Sequence, residues 1–134
     1  MPLLSILLAS ASGHLVDMLW YNSYTFYPTW LRVTGRTPVD LEKLGIKPRI
    51  MTVASDLILA GLLDHAIPKI DVGNSWKTAA MVTGGATLLY ITLGTPHNAY
   101  DDRPCGCAVL DLGYNAARVG VMSLVLLYMA GRFE

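Results

Sequence analysis

Residues 57–63 read Leu57-Ile58-Leu59-Ala60-Gly61-Leu62-Leu63, two helical turns with no polar side chain on any face. A helix on a soluble domain gathers its apolar residues into a stripe. One that is apolar all round is a membrane span or the core of a much larger protein. With 134 residues in the chain, only the first remains. Residues 119–129 agree: between Val119 and Met129 the strongly polar side chains are Ser123 and Tyr128.

Around these runs the chain divides by charge. From Thr78 to Tyr100 there is no Lys, Arg, Asp or Glu over 23 residues, more than the about 20 that cross a bilayer core. Thr95-Pro96 is expected to end that helix early. The other long apolar segments each carry ionisable groups: His14 and Asp17 in Leu3–Tyr21, Asp56, Asp64 and His65 in Ile50–Ile67, and Asp111 and Arg118 in Val109–Met129. The expected architecture is all-α: one membrane domain over residues 1–134, an integral bundle of four transmembrane helices over about 3–21, 50–67, 77–94 and 109–129. Its first loop is long and partly helical, with a helix start at Thr37-Pro38-Val39-Asp40-Leu41-Glu42, where Pro comes early and acids fill the first turn. A tight link is expected over 68–76 around Gly73-Asn74, and a polar loop from Thr95 to Ala108.

Composition supports this reading: 53% of residues are hydrophobic and 15% charged, against about 25% charged in a soluble domain. Ten Lys+Arg balance ten Asp+Glu, without the basic excess that a nucleic-acid binder needs. Two cysteines are too few for a disulfide scaffold. Loops one and three hold six basic residues (Arg32, Arg36, Lys43, Lys47, Arg49, Arg103) and the opposite side three (Lys69, Lys77, Arg132). Loops one and three are therefore expected on the cytoplasmic or matrix side. The first thirteen residues lack Lys and Arg, unlike a presequence or cleaved signal, so the first span is expected to be retained. The bacterial cytoplasmic membrane and the mitochondrial inner membrane both fit.

Leu19-Trp20-Tyr21, then Phe26, Trp30, Leu31 and Gly35, followed by the four-span layout, resemble the domain-of-unknown-function family numbered 1761. Gly84-Gly85-Ala86 in the third span and Asp111-Leu112-Gly113-Tyr114 opening the last extend the resemblance over essentially the whole chain. It implies a small four-helix integral membrane protein without an established activity. Asp17, three residues before the Trp, departs from the Gly that the family has there.

Charges at membrane depth cost about 2.5–3.5 kcal/mol each on insertion scales and face the bundle interior or a partner. With about 1.5 Å of rise per residue, His14, Asp17, Asp56 and Arg118 all fall roughly 6–13 Å from the inner boundary. Asp111, Tyr114, Asn115 and Arg118 share one helical face at i, i+3, i+4 and i+7. The candidate polar layer is therefore His14, Asp17, Asp56, Asp111, Asn115 and Arg118, serving either as packing glue or as an ion or proton path. Trp20, Tyr21, Tyr24, Phe26, Tyr27 and Trp30 suit an aromatic belt or a lipid or quinone contact. Gly84, Gly85, Gly113 and Gly120 suit close helix approach.

His97, Asp101, Asp102, Cys105 and Cys107 are weak metal candidates, because a lone Cys-x-Cys lacks zinc-site spacing. No cofactor is expected. Nucleophile elbow, phosphate loop and His-Glu-x-x-His are absent, so the chain does not read as an enzyme. The expected role is a structural accessory subunit of a larger membrane complex, respiratory or otherwise energy-transducing. Its partners would be membrane lipids and other membrane subunits, with no nucleic acid. The alternative is a small transporter or a lipid-, quinone- or ion-binding protein using the buried layer.

Overall fold

A computed structural model describes residues 2–132. These form six helices and no strand: α1 (Pro2–Trp20), α2 (Tyr27–Thr34), α3 (Pro38–Glu42), α4 (Lys47–Ile70), α5 (Ser75–Tyr100) and α6 (Cys105–Met129). The four long helices run alternately up and down. The last of them, α6, is the hub, packed against α1, α5 and α4 and also touched by α2. Helices α4 and α5 meet only sparingly, which leaves a groove between them floored by α6.

Each start and stop has a local cause. Thr37 caps α3 through a reciprocal box, accepting from the Asp40 amide at 3.3 Å while its own amide donates to Asp40 at 3.0 Å. Asn74 caps α5, accepting from the Lys77 amide at 2.9 Å. Helix α2 starts with Pro28 in its first turn and ends at Gly35, whose φ of 67° suits a residue without Cβ. Two expected boundaries fall elsewhere. Helix α5 passes through Pro96 to Tyr100, and α4 passes through Pro68 to Ile70. Proline inside a membrane helix is tolerated where Ser/Thr side chains and local adjustments re-satisfy the backbone. Thr92 and Thr95 bond back to the Leu88 and Ile91 carbonyls, at 2.9 and 2.6 Å, in the turn before Pro96, a back-bonding that eases a helix bend. The expected loop from Thr95 to Ala108 thus contracts to residues 101–104, turned by Asp102 at φ 51°.

Three helices are long and apolar enough to cross a membrane: Leu3–Trp20, Lys47–Ile70 and Cys105–Met129. This marks a membrane protein. Helix α5, expected to be the cleanest span, is long enough but not among them. It carries no Lys, Arg, Asp or Glu after Lys77, yet its threonines and glycines dilute its aliphatic residues. Large apolar side chains point outward all round the bundle, including Leu15, Leu19, Ile58, Leu62, Leu88 and Val109, as lipid contact requires.

The interior is divided along its length. At the end nearest the α4–α5 turn the core is apolar, with Ala9, Leu63, Ile67, Val82, Met122 and Leu127 among its members. At the end nearest α2 and α3 it turns polar. The far end is tied by Ser75, whose hydroxyl donates to the Arg132 carbonyl at 2.6 Å, and by an Arg132–Asp71 ion pair at 2.7 Å.

Candidate functional site

The polar half is centred on Asp56 of α4, which is fully buried. Arg118 of α6 donates to its Oδ1 from Nε at 2.6 Å and from Nη2 at 2.5 Å, and Nη2 also donates to Ser55 Oγ at 3.1 Å. His14 of α1 brings Nδ1 to 3.6 Å from Asp56 Oδ2, too long for a hydrogen bond. Asp56 Oδ2 and His14 Nδ1 thus lie buried without a hydrogen-bond partner among the described residues. Three helices are joined at one carboxylate.

Gly13 explains how α1 gets so close. A Cβ at that position would meet Met122 Sδ at 2.8 Å and Asp56 Oδ1 at 3.2 Å. Sequence reasoning had singled out other glycines. Of those, a Cβ at Gly113 would stand 3.0 Å from the Trp20 ring and one at Gly120 3.5 Å from Thr83. A Cβ at Gly84 or Gly85 would meet nothing within 4 Å among the described residues, so neither glycine is needed for a close approach there.

From the ion pair, polar side chains continue along the α1–α6 seam. The Arg118 guanidinium lies over the Tyr114 ring, 5.8 Å from its centroid. The Tyr114 side chain lies near Asp17, and its ring is 5.3 Å from that of Tyr21. Tyr21 donates to Asp111 at 3.3 Å. Asp111 therefore belongs to a second cluster, about two helical turns from Arg118. Asn115 turns back on its own helix, donating to the Asp111 carbonyl at 2.8 Å.

The seam has a cavity at each end. One, of about 550 Å³, is the groove between α4 and α5, with Ile58, Leu62 and Tyr90 on its walls and Asn115 and Arg118 on its floor. The other, of about 540 Å³, lies under α2 and α3 and takes Tyr21, Tyr27, Trp30, Arg36, Arg103 and Asp111 into its lining. The aromatic residues of the expected belt thus divide. Tyr21 and Trp30 meet edge to face at 6.1 Å in the cavity wall. Trp20 stacks on Phe26 at 4.4 Å, and Tyr24 is almost wholly exposed.

The metal candidates are dispersed. No group of three or more potential ligands gathers among the described residues. Cys105 and Cys107 are free thiols, the first exposed and the second buried 3.9 Å from Asp111 Oδ2. His65 lies 2.6 Å from the Lys69 ammonium, one turn along α4.

The family model described as "Protein of unknown function (DUF1761)" matches residues 4–127. The chain belongs to that family. No curated protein and no solved structure matches it. The match takes in the whole seam, from His14 to Arg118, and both cavities.

Proposed function

We propose that this member of the DUF1761 family is a four-span integral membrane protein that serves as a packing subunit of a larger membrane assembly. The observation that carries this reading is α5. It runs the length of α6, so it belongs to the same layer as the three apolar helices, yet it is not among those apolar enough by themselves to cross a membrane. Gly84 and Gly85 lie exposed, with open space among the described residues where a Cβ would stand. Small residues on an open helix face let another backbone come close, which is how helices associate where lipid is as apolar as leucine. On this reading the Asp56–Arg118 pair is internal glue, fixing α4 against α6. The test is purification of the intact chain in mild detergent, followed by mass spectrometry of what accompanies it. Fixed membrane partners at constant stoichiometry support the proposal, and a homogeneous monomer or homodimer overturns it.

A second reading has its own observation. The seam links two cavities through Asp111, Tyr21, Tyr114, Asp17, His14 and Asp56, and two of its buried polar atoms have no hydrogen-bond partner among the described residues. This favours ion or proton handling. Asp56→Asn separates the two: loss of flux with assembly intact supports transport, and loss of assembly supports glue.

A further inference from the structure

The cavity under α2 and α3 has more definite chemistry than either reading uses. One wall is aromatic, built by Tyr21 at the end of α1 and by Tyr27 and Trp30 one turn apart on α2. Two guanidinium groups enter from different segments, Arg36 just past α2 and Arg103 in the turn before α6. Arg36 lies over the Trp30 ring, 5.9 Å from its centroid, and among the described residues it forms no ion pair within 4 Å. Arg103 has a loose, exposed pair with Asp101 at 3.7 Å, a kind that contributes little. The carboxylate in the lining, Asp111, is already engaged by Tyr21. Leu41 and Pro104 complete the apolar part of the lining.

We propose that this cavity binds the phosphodiester headgroup of a membrane lipid, held between Arg36 and Arg103. Charge sets the class. Two guanidinium groups against one carboxylate leave a single positive charge, which matches a phosphodiester. A phosphomonoester carries nearly two negative charges near pH 7, one more than this lining offsets. Guanidinium forks suit the several oxygens of a phosphate. Position sets the source. The cavity lies where α1 ends and α6 begins, at the level where Trp and Tyr side chains gather at a membrane boundary. A headgroup there leaves its acyl chains alongside the exposed apolar faces of the long helices. The proposal rests on the membrane reading and not on the packing role.

The test uses the full chain in detergent, with phosphatidylglycerol added and retained lipid counted by native mass spectrometry. Arg36→Gln and Arg103→Gln are each expected to weaken retention about tenfold, the loss of one charge-assisted hydrogen bond. Arg32→Gln, an exposed α2 residue outside the cavity, should bind like the parent. Thr34→Trp, which fills the cavity while leaving both arginines, should also abolish retention, and circular dichroism checks that every variant keeps its helices. Parent-like binding by the Arg36→Gln/Arg103→Gln double variant, or by a folded Thr34→Trp variant, overturns the proposal. So does displacement of the lipid by millimolar inorganic phosphate, which marks a soluble-anion site. Release of the protein from membranes by alkaline carbonate without detergent instead defeats the membrane reading itself.

Discussion

Asp56→Ala leaves the Arg118 guanidinium inside the bundle with Ser55 as its remaining hydrogen-bond partner. Both Nε and Nη2 now bond the lost Oδ1, at 2.6 and 2.5 Å, whereas the Ser55 contact is longer at 3.1 Å. Asp56 is fully buried and Arg118 nearly so, so water cannot replace what is removed. Breaking such a pair from one side costs about 3–5 kcal/mol, mostly because an uncompensated charge stays behind. Arg118→Met should cost a similar amount by stranding the carboxylate. The double variant strands nothing, and apolar replacement of a whole buried pair is often neutral or stabilising. It should therefore unfold with less loss than either single variant. The assay is reversible unfolding in mixed micelles by titration with sodium dodecyl sulfate, followed by helical circular dichroism. Additivity of the two single losses to within about 0.5 kcal/mol, the behaviour of independent sites, would refute the reasoning. So would a cost below about 1 kcal/mol for either single change, which would place the pair in water.

Other perturbations test separate parts of the structure. Gly13→Ala should destabilise by about 1–3 kcal/mol through overpacking against Met122. Gly84→Ala, with open space around it, should stabilise the isolated chain by up to about 1 kcal/mol through helix propensity, as read in the same titration. The Asp71 carboxyl is held below the usual carboxylate range, first by the Gly73 amide, against a smaller opposing desolvation, with further help from Thr78 and Arg132. Its contribution is thus present above the unfolded-state pKa and lost as pH falls through the lowered folded value. Unfolding midpoints of the parent should drop across that acidic window, and those of Asp71→Asn should drop less. A maleimide probe should label exposed Cys105 before buried Cys107. With a membrane-impermeant probe on intact cells, the basic-loop topology predicts no labelling until the membrane is opened.

The sequence made the membrane class legible because Leu57–Leu63 excludes a polar face by itself, whatever the neighbouring helices do. It also placed His14, Asp56 and Arg118 at one level, because helical rise is constant and antiparallel spans share their boundaries. Which of them touch was harder to read. Asp111 and Arg118 share a helical face, yet one meets α1 and the other α4. Helix ends were hidden at Pro68 and Pro96, where local propensity says stop and the surrounding structure carries the helix on. Helix α2 was read only as part of a long loop. Eight residues hardly make a stable helix alone, and this one is held by its contact with α6, where Val33 lies 3.3 Å from a Cβ built on Gly106. Arg36 and Arg103 gave no signal in the chain, because 67 residues separate them and only folding of the loops puts them on one cavity. Gly13 was missed for a related reason: its neighbour Met122 comes from the far end of the chain.

That the hub is made after the helices it joins sets a schedule for the ribosome. Asp56 and Arg118 are 62 residues apart, so at about 5–20 residues per second the carboxylate waits roughly 3–12 s for its cation. During that interval α1 and α4 must hold an unmatched acid at membrane depth. Protonation, a water defect or the insertion machinery has to shelter it until α6 arrives. Truncation before Arg118 should therefore yield nascent chains that linger at the insertion site, whereas the full-length chain leaves it.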